Sequence, residues 1–566
     1  MEIYSNIVEE NKLREVQKRT LQILSDALVK SFGPMGSYTT IVKNMDPKGV
    51  NISVDSTKDG HTIIKNILFQ NPIERSVQDL LVDLTHHVVK EVGDGTTSAI
   101  VLCNSIFKCL CDNDVFKNEP PSDILNKFSN IVKVISDRIK QKSRECTVED
   151  IYNIALISTN NNEDIAGTLR EIYKRYGLDV YIDVGISTEV DNLVKEYDGM
   201  TLDTGLSDPC FINNKSNNSC TIRNPKIYAF NDPIDTPEML NMLDAILYNN
   251  ILQAYTPNSV YEPVPTVILS KTITPDASSY LETIVKLMNT QGLNVPLLIV
   301  SDIHQDYELE DITKMCGAPL IKKYLNPDLQ QKDIEAGLAP TTDTILDFCG
   351  SADEVVSDQY KTKIINPSKM FNADGTYSDD YNMMINYLEN QIVQAKAEDM
   401  SDNEIGRLRK RLNSFKGNMI DFLIGGITLS DRNTLKASVE DAVLNCRSAA
   451  KNGVGYGANF MALSVLHEMI NEDEYKNDQI VMVLYEAYSD LVCILYDKSF
   501  KDKAGEIVVE SLNKGCPLNI RTKEYDGKVL SSISSDIIIL DTINRILGLM
   551  YTSNQYLLQL PVYNIY

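Results

Sequence analysis

The sequence is poor in basic residues, with 54 lysines and arginines against 79 aspartates and glutamates, and its formal net charge is -25. A chain of this charge has no basic patch that could neutralise a phosphate backbone, so we expect no nucleic acid among its partners. A strongly negative charge also keeps a protein from sticking to others, which favours a cytoplasmic location.

Long apolar runs are missing as well. The N-terminal stretch MEIYSNIVEENK has no basic segment followed by an apolar one, so the sequence predicts no signal peptide. No stretch reaches the roughly 18 uninterrupted apolar residues of a membrane span, and we expect no membrane among the partners. Eleven cysteines are scattered through a chain without an export signal, which predicts reduced thiols.

Tryptophan is absent, and histidine is scarce, with five residues that do not cluster. The closest cysteines, Cys109 and Cys111, have no second pair at a matching spacing. The sequence therefore predicts no zinc site at these cysteines.

The 566 residues are too many for one compact core and predict two to four domains. Helical periodicity runs from Leu13 to Phe32, from Leu80 to Val92 and again after Gly95, so the stretch around GDGTT joins two helices. From Tyr176 short strand-like runs alternate with helical patterns, and beyond Gly453 the chain is again mostly helical. We expect a multidomain α+β fold in which helical ends flank an α/β middle.

Four separate segments have the chemistry of a nucleotide site: SFGPMGS, STKDG, GDGTT and the helical stretch around Asp441. Glycines let main-chain amides approach a phosphate, and a helix start at GDGTT would favour an anion. Asp94 could hold Mg²⁺ together with phosphate oxygens and water. Each segment alone is a weak signal, since a Gly-Pro pair is usually a turn and TKDG is typical of a hairpin.

In this order and spacing the segments resemble those of the group I, GroEL-like chaperonins. FGPMGS, TKDG and GDGTTS match the equatorial signature, DGMTLDTGLSDPCFIN the entry to the apical domain, and SVEDAVLNCRSAAKNGV the return from it. LNIRTKEYDG, near Leu518, matches a further equatorial motif. The resemblance implies the chaperonin fold, with a mostly helical equatorial domain (1–143 and 453–566), a small α/β intermediate domain (144–198 and 418–452) and an α/β apical domain (199–417).

The resemblance also implies ATP and Mg²⁺ as cofactors and gives individual residues roles. Lys58 would lie toward the γ-phosphate, Asp59 would position the attacking water, and Asp94 would bind Mg²⁺. Asp441 would polarise the water or complete the metal shell. The remaining ATP-binding positions surround the phosphates, the ribose and the adenine: Ser31, Phe32, Gly33, Pro34, Gly93, Gly95, Thr96, Thr97, Ser98, Gly457, Ala458, Asn519 and Ile520.

The ribose side departs from the family pattern. The family's glycine triplet is replaced within YGAN, Tyr456 to Asn459. The ribose-binding aspartate falls on Ser531, with Asp536 as a nearby alternative, and the sequence leaves both open. These departures bear on nucleotide affinity and specificity more than on hydrolysis.

The resemblance implies apolar client-binding positions on the apical domain. An alternative of equal weight is that the same side chains form the apical core. A stretch at 249–265 has no counterpart in the family. The implied positions are Leu206, Phe211, Leu240, Leu243, Leu281 and Val285.

The family implies a seven-membered ring that captures non-native polypeptides, and the need for a co-chaperonin stays open. Val492 and Phe500 stand where relatives carry an Arg and a Glu between two rings, which favours a single ring. The diverged composition, rich in Asn, Ile and Tyr, suits a phage-encoded member acting in the host cytoplasm. The main alternative is a non-hydrolysing ATP-binding ring or scaffold, and a second is a small-molecule kinase.

Overall fold

The structure is a computed structural model that describes residues 3–44, 52–93, 95–113, 116, 119–178, 180–187, 189–214, 218–256, 259–290, 293, 295–324, 326–370, 378–398, 400, 402–416, 419–553 and 555–561. The chain forms two compact units. The first combines Met1–Val194 with Asp421–Tyr566, and the second is the continuous segment Lys195–Ile420. The finer division of the first unit into equatorial and intermediate domains stays a prediction.

Helices dominate the first unit and alternate with strands in the second, so the expected α+β class is confirmed. In chain order the helices of the described residues are α1 (Glu10–Val29), α2 (Gly60–Lys65), α3 (Pro72–Val92), α4 (Thr96–Asp112), α5 (Pro121–Lys142), α6 (Val148–Ser158), α7 (Glu163–Tyr176), α8 (Pro237–Asn250), α9 (Pro275–Thr290), α10 (Asp306–Cys316), α11 (Pro327–Glu335), α12 (Asp379–Ala397), α13 (Asp402–Lys416), α14 (Leu429–Asn452), α15 (Phe460–Met469), α16 (Gln479–Phe500), α17 (Ala504–Lys514) and α18 (Ile533–Thr552).

The strands of the described residues are short. They are β1 (Ile3–Glu9), β2 (Thr39–Asn44), β3 (Ile52–Thr57), β4 (Tyr181–Ile186), β5 (Leu193–Tyr197), β6 (Gly199–Leu202), β7 (Cys220–Arg223), β8 (Lys226–Phe230), β9 (Thr266–Ser270), β10 (Leu297–Val300), β11 (Leu320–Ile321), β12 (Gly350–Ser357), β13 (Thr362–Pro367), β14 (Met419–Ile424), β15 (Val454–Tyr456), β16 (Leu530–Ser532) and β17 (Gln555–Pro561).

The first unit has an apolar core built by helices from both ends of the chain, including α1, α3, α4, α16 and α18. Three antiparallel strand pairs also belong to the first unit: β1 with β17, β2 with β3, and β15 with β16. Local signals set the helix ends. The Asn71 side chain accepts a hydrogen bond from Ile73 N at the start of α3, and Gly93 ends that helix in the left-handed region.

The second unit is organised around an eight-stranded sheet. Its main path runs β10-β9-β8-β12-β13-β6, with β11 beside β8 and β7 beside β12. Strands β8, β9 and β10 are parallel, while β12 is antiparallel to its neighbours. An ion pair between half-buried Arg411 and buried Asp311 (2.9 Å) joins α13 to α10. This arrangement confirms the α/β middle predicted from the alternating patterns.

The segment 249–265 folds back on the sheet of the second unit. Val264 N donates to Asn250 O at 2.7 Å, and the buried Asn250 amide donates to the Tyr228 hydroxyl and to Thr266 Oγ1. Residues 257 and 258 lie outside the described residues. The two ends of the segment are therefore anchored in the core next to α8.

One helical stretch, Gln479–Lys514, is long and apolar enough to cross a membrane by composition. Its α16 part carries core residues such as Leu484, Tyr488 and Leu491, all fully buried. The hydropathy is that of a core helix. All eleven cysteines are free thiols in the structure.

Candidate functional site

The SFGP turn follows α1 in the first unit and is held by main-chain bonds and by α16. The main-chain N–H and hydroxyl of buried Ser31 both donate to Leu28 O at 3.0 Å. Gly33 has φ +75°, and a Cβ there would lie 2.4 Å from Leu495 Cδ1. Lys498 Nζ donates to Lys30 O (3.0 Å) and Phe32 O (2.9 Å). Lys30 O also accepts a hydrogen bond from Ser37 N (3.0 Å), so the lysine adds a charged donor to the carbonyls just beyond the end of α1.

In the TKDG segment, Asp59 is the N-cap of α2. Its carboxylate accepts hydrogen bonds from His61 N (3.2 Å), Thr62 N (2.8 Å) and Thr62 Oγ1 (2.6 Å). Lys58 lies with Nζ 4.8 Å from the centre of the Tyr38 ring. The cap fixes the orientation of the Asp59 carboxylate, and Lys58 is the residue immediately before this cap.

The GDGTT segment joins α3 to α4 through two glycines in the left-handed region, Gly93 (φ +76°) and Gly95 (φ +95°). Asp94, between them, lies outside the described residues. Among the residues that are described, no side chain caps the start of α4, and Thr96, Thr97 and Ser98 are buried there. Main-chain N–H groups at an uncapped helix start attract anions, and three hydroxyls add further hydrogen-bonding groups.

The structure brings the TKDG and GDGTT segments into contact. A Cβ added to Gly60 would lie 2.8 Å from Thr96 Oγ1 and 3.1 Å from Thr97 Oγ1. Only a glycine permits this approach of α2 to the start of α4.

The helix that carries Asp441 also reaches the GDGTT segment. A Cβ on Gly93 would lie 2.4 Å from Leu444 Cβ and 3.1 Å from the main-chain oxygen of Asp441. Asp441 itself is half-buried on α14. Two segments some 350 positions apart in the sequence thus meet within the first unit.

The turn at Gly457, Ala458 and Asn459 leads from β15 into α15. Asn459 Nδ2 donates to Ser98 Oγ at 3.0 Å. A Cβ on Gly457 would lie 3.3 Å from Ser531 Cβ. This turn therefore contacts the start of α4 on one side and β16 on the other.

The two ribose candidates lie in different surroundings. Ser531 is half-buried in β16, beside Gly457. Asp536 is buried on α18, where burial raises the pKa of its carboxyl to about 7 and the main-chain N–H of Ala462 partly offsets that rise. Their positions favour Ser531 as the residue available to a ligand.

The expected adenine segment forms a closed loop. Asn519 N donates to Glu524 O at 2.9 Å, and Asn519 Nδ2 donates to Asp526 Oδ2 at 3.2 Å. Ile520 packs against the apolar core of the first unit. The amide of Asn519 thus shapes the loop in this conformation.

Positive charges act on one another around these segments. Burial lowers the pKa of Lys58, and the charge of Arg521 lowers it further. Burial also lowers the pKa of Lys498, with Lys58 as the second cause. A bound anion would offset this mutual repulsion, so the electrostatics favour an anionic ligand.

The TKDG segment, the Asp441 helix and the Gly457–Asn459 turn therefore all contact the GDGTT segment within the first unit. The SFGP turn and the Asn519 loop are linked to Lys58 through the charges of Lys498 and Arg521. The sequence did not single out Lys498 or Arg521, and it treated Asn459 only as a departure from glycine. No group of three or more His, Cys, Asp or Glu side chains gathers within the part of the chain that the structure describes. A Mg²⁺ ion bound largely by phosphate and water needs only one or two protein carboxylates.

The expected client-binding positions require a correction. Leu206, Phe211, Leu243, Leu281 and Val285 are buried in the core of the second unit, and only Leu240 is half-buried at its margin. Their apolar stripe on α8 and α9 faces inward, as the alternative of a core role anticipated. In this conformation these five side chains offer no surface to a client.

Comparisons with known proteins agree with the fold. The sequence matches the TCP-1/cpn60 chaperonin family over residues 24–502. Two crystal forms of the chaperonin gp146 from the bacteriophage EL 2 (Pseudomonas aeruginosa), both in the presence of ATP-BeFx, have similar structures. Form II gives a TM-score of 0.73 at 17% identity and form I 0.66 at 18%, each covering 98% of this chain and 99% of that one.

Proposed function

Because the chain belongs to the TCP-1/cpn60 chaperonin family, we propose that it is an ATP-driven chaperone that captures and releases non-native polypeptides. One observation carries the nucleotide part: α2, α4 and α14 converge at the GDGTT segment, so that Gly60 contacts Thr96 and Gly93 contacts the Asp441 segment. The solved relative gp146 was crystallised with an ATP analogue, which supports the same ligand class here.

The start of α4 would receive the phosphates, with the SFGP turn on another side and Lys58 supplying positive charge. Asp59 and Asp441 would orient the attacking water and accept its proton, as a water-positioning carboxylate does in phosphoryl transfer. Asp94 and Asp441 would hold Mg²⁺, which neutralises charge on the phosphate oxygens when it is bound.

The coupling to clients would come from domain movement. A nucleotide that binds one domain arrangement better than another shifts the population toward it, and this difference drives the second unit between capture and release. The family supports assembly into a ring of copies, here proposed as seven in a single ring, acting in the cytoplasm (that of the host if a phage encodes the chain). Five of the six predicted client positions lie in the core, so clients would bind other surfaces of the second unit.

The test compares Asp441→Asn with the wild-type ring. We expect ATP binding to remain, hydrolysis to fall by about a hundredfold or more, and refolding of a denatured client to stop after one cycle. Glu440→Gln is the matched control, since Glu440 is paired with Lys436 (3.2 Å) on the same helix. Wild-type binding without turnover would support the alternative of a non-hydrolysing ring, and unchanged turnover in Asp441→Asn would remove Asp441 from the mechanism.

A further inference from the structure

The turn before α15 has an unusual backbone for its residues. Ala458 has φ +58° and Asn459 has φ +59°, so two consecutive residues with side chains occupy the left-handed region. Glycine adopts this region freely, asparagine tolerates it, and alanine does so at a cost. Backbone strain of this kind persists only where the surroundings hold it, and it is often found next to functional sites.

The Asn459 side chain bonds to a different helix from the one that it precedes. As the N-cap of α15, an asparagine would ordinarily accept a hydrogen bond from its own helix, but Asn459 makes no such bond. Its amide instead donates to Ser98 Oγ at 3.0 Å. Ser98 is buried in the first turn of α4, beside Thr96 and Thr97. One hydrogen bond therefore links the starts of two helices that come from opposite ends of the chain.

We propose that Asn459 is a positioning residue of the ATP site and that it acts through Ser98. The inference rests on the proposed ATPase function. Because Ser98 Oγ accepts the amide hydrogen, the hydroxyl's own hydrogen points away from Asn459 and stays available to a phosphate oxygen at the start of α4. The same bond fixes the Gly457–Asn459 turn, the proposed ribose side, relative to the phosphate side.

A purely structural asparagine at this position predicts a different response to substitution. Asn459→Gly removes the bond to Ser98 and relieves the left-handed strain, so a structural role alone would change only the melting temperature and leave the ATP kinetics unchanged. A positioning role predicts that the same variant keeps its stability and loses ATP affinity. Asn459→Asp is a second probe, because its carboxylate would accept the Ser98 hydrogen and repel the phosphates.

The experiment measures Tm, the Kd for ATP, KM and kcat on the assembled protein. Asn459→Gly should weaken kcat/KM for ATP by about three- to tenfold, the effect of one hydrogen bond, without lowering Tm. Asn459→Asp should be worse than Asn459→Gly. The double variant Ser98→Ala, Asn459→Gly should be no worse than Ser98→Ala alone, since the pair acts as one unit.

Asn224→Gly is the matched control. Asn224 also has a left-handed backbone (φ +49°) but lies in the second unit, so this change should leave the ATP parameters unaltered. If the wild type is active and Asn459→Gly has unchanged KM and kcat, this inference alone is overturned. Additive losses in the double variant would overturn it as well. A wild type that neither binds nor hydrolyses ATP would overturn the proposed function and this inference with it.

Discussion

Arg521 donates a hydrogen bond of 3.0 Å from Nη2 to the main-chain oxygen of Asn160. Asn160 lies in the turn between α6 and α7, which belongs to the predicted intermediate segment. Arg521 lies two residues after Asn519 in the loop expected to receive adenine, and its charge lowers the pKa of Lys58. The contact therefore joins the proposed nucleotide site to the segment whose movement would transmit its state.

Arg521→Ala should weaken ATP binding by about three- to tenfold, because it removes both a positive charge beside Lys58 and the bond to Asn160. Isothermal titration with ATP measures the loss. Arg521→Lys keeps the charge and should recover part of the affinity. Lys523→Ala, an exposed cation in the same loop, is the control. Equal losses in the Lys523 and Arg521 variants would assign the effect to overall charge rather than to this contact.

Gly60→Ala should reduce ATP turnover strongly, since its methyl group would lie 2.8 Å from Thr96 Oγ1 and force α2 away from α4. A change from glycine to alanine at a helix start normally costs the protein little stability or adds some. A loss of stability in Gly60→Ala would therefore report on the close approach of α2 to α4. Gly505→Ala in α17 is the control, because a Cβ there meets no atom within 4 Å. Steady-state ATPase rates and Tm of both variants provide the test, and normal turnover in Gly60→Ala would contradict the close packing.

Asp536 predicts a pH-dependent stability. Burial raises the pKa of its carboxyl from 3.8 to about 7, so between these values the folded state holds a proton that the unfolded state has released. The free energy of unfolding should fall as pH rises through this window, by up to about 1.4 kcal/mol per pH unit, and level off above it.

Asp536→Asn should remove that dependence. The variant should match wild type near pH 4 and be more stable by about 2 to 4 kcal/mol at pH 8, because no charge is buried. Denaturant unfolding at several pH values measures the difference. Asp502→Asn, which changes an exposed carboxylate, should leave the wild-type curve unaltered. If the free energy of unfolding of Asp536→Asn depends on pH in the same way as that of wild type, the pH dependence comes from another group.

Lys498→Met should loosen the SFGP turn, since the ammonium donates to the carbonyls of Lys30 and Phe32. We expect a loss of about 1.5 to 3 kcal/mol in stability, typical of hydrogen bonds to a charged group, together with weaker ATP binding. Lys498→Arg should restore part of both. Lys503→Met, an exposed lysine beyond the end of α16, serves as the comparison. Unchanged ATP affinity in Lys498→Met would restrict the lysine to a purely structural role.

The sequence predicted the helix–loop–helix around Gly93 and Gly95 well, because apolar spacing such as Leu84, Val88 and Val92 continues up to a glycine that can end a helix. Local sequence patterns also agree with the helix α16 and with the alternation of strands and helices in the second unit. The segments of the candidate site were recognised by their resemblance, and the structure shows that several of them touch.

Other features depend on tertiary contacts that no local pattern contains. Lys498 donates hydrogen bonds to main-chain carbonyls. Because every residue has such a carbonyl, the sequence does not show which segment Lys498 contacts. The stripe containing Leu243 and Val285 has the same spacing whether it faces a cavity or a core, and only the packed fold shows that it faces inward. The sequence showed only that Asn459 stands where relatives have a glycine. Its hydrogen bond to Ser98 is seen only in the structure.

The division of the chain into one continuous and one discontinuous unit has a consequence for synthesis on the ribosome. All the strands and helices of Lys195–Ile420 emerge together, so this unit can close its core while translation continues. Met1–Val194 must wait for Asp421–Tyr566 to be synthesised, with apolar faces of α1, α3 and α4 exposed in the meantime. A nascent chain stalled once Ile420 has left the ribosomal exit tunnel should therefore resist protease within Lys195–Ile420 and be cleaved within Met1–Val194.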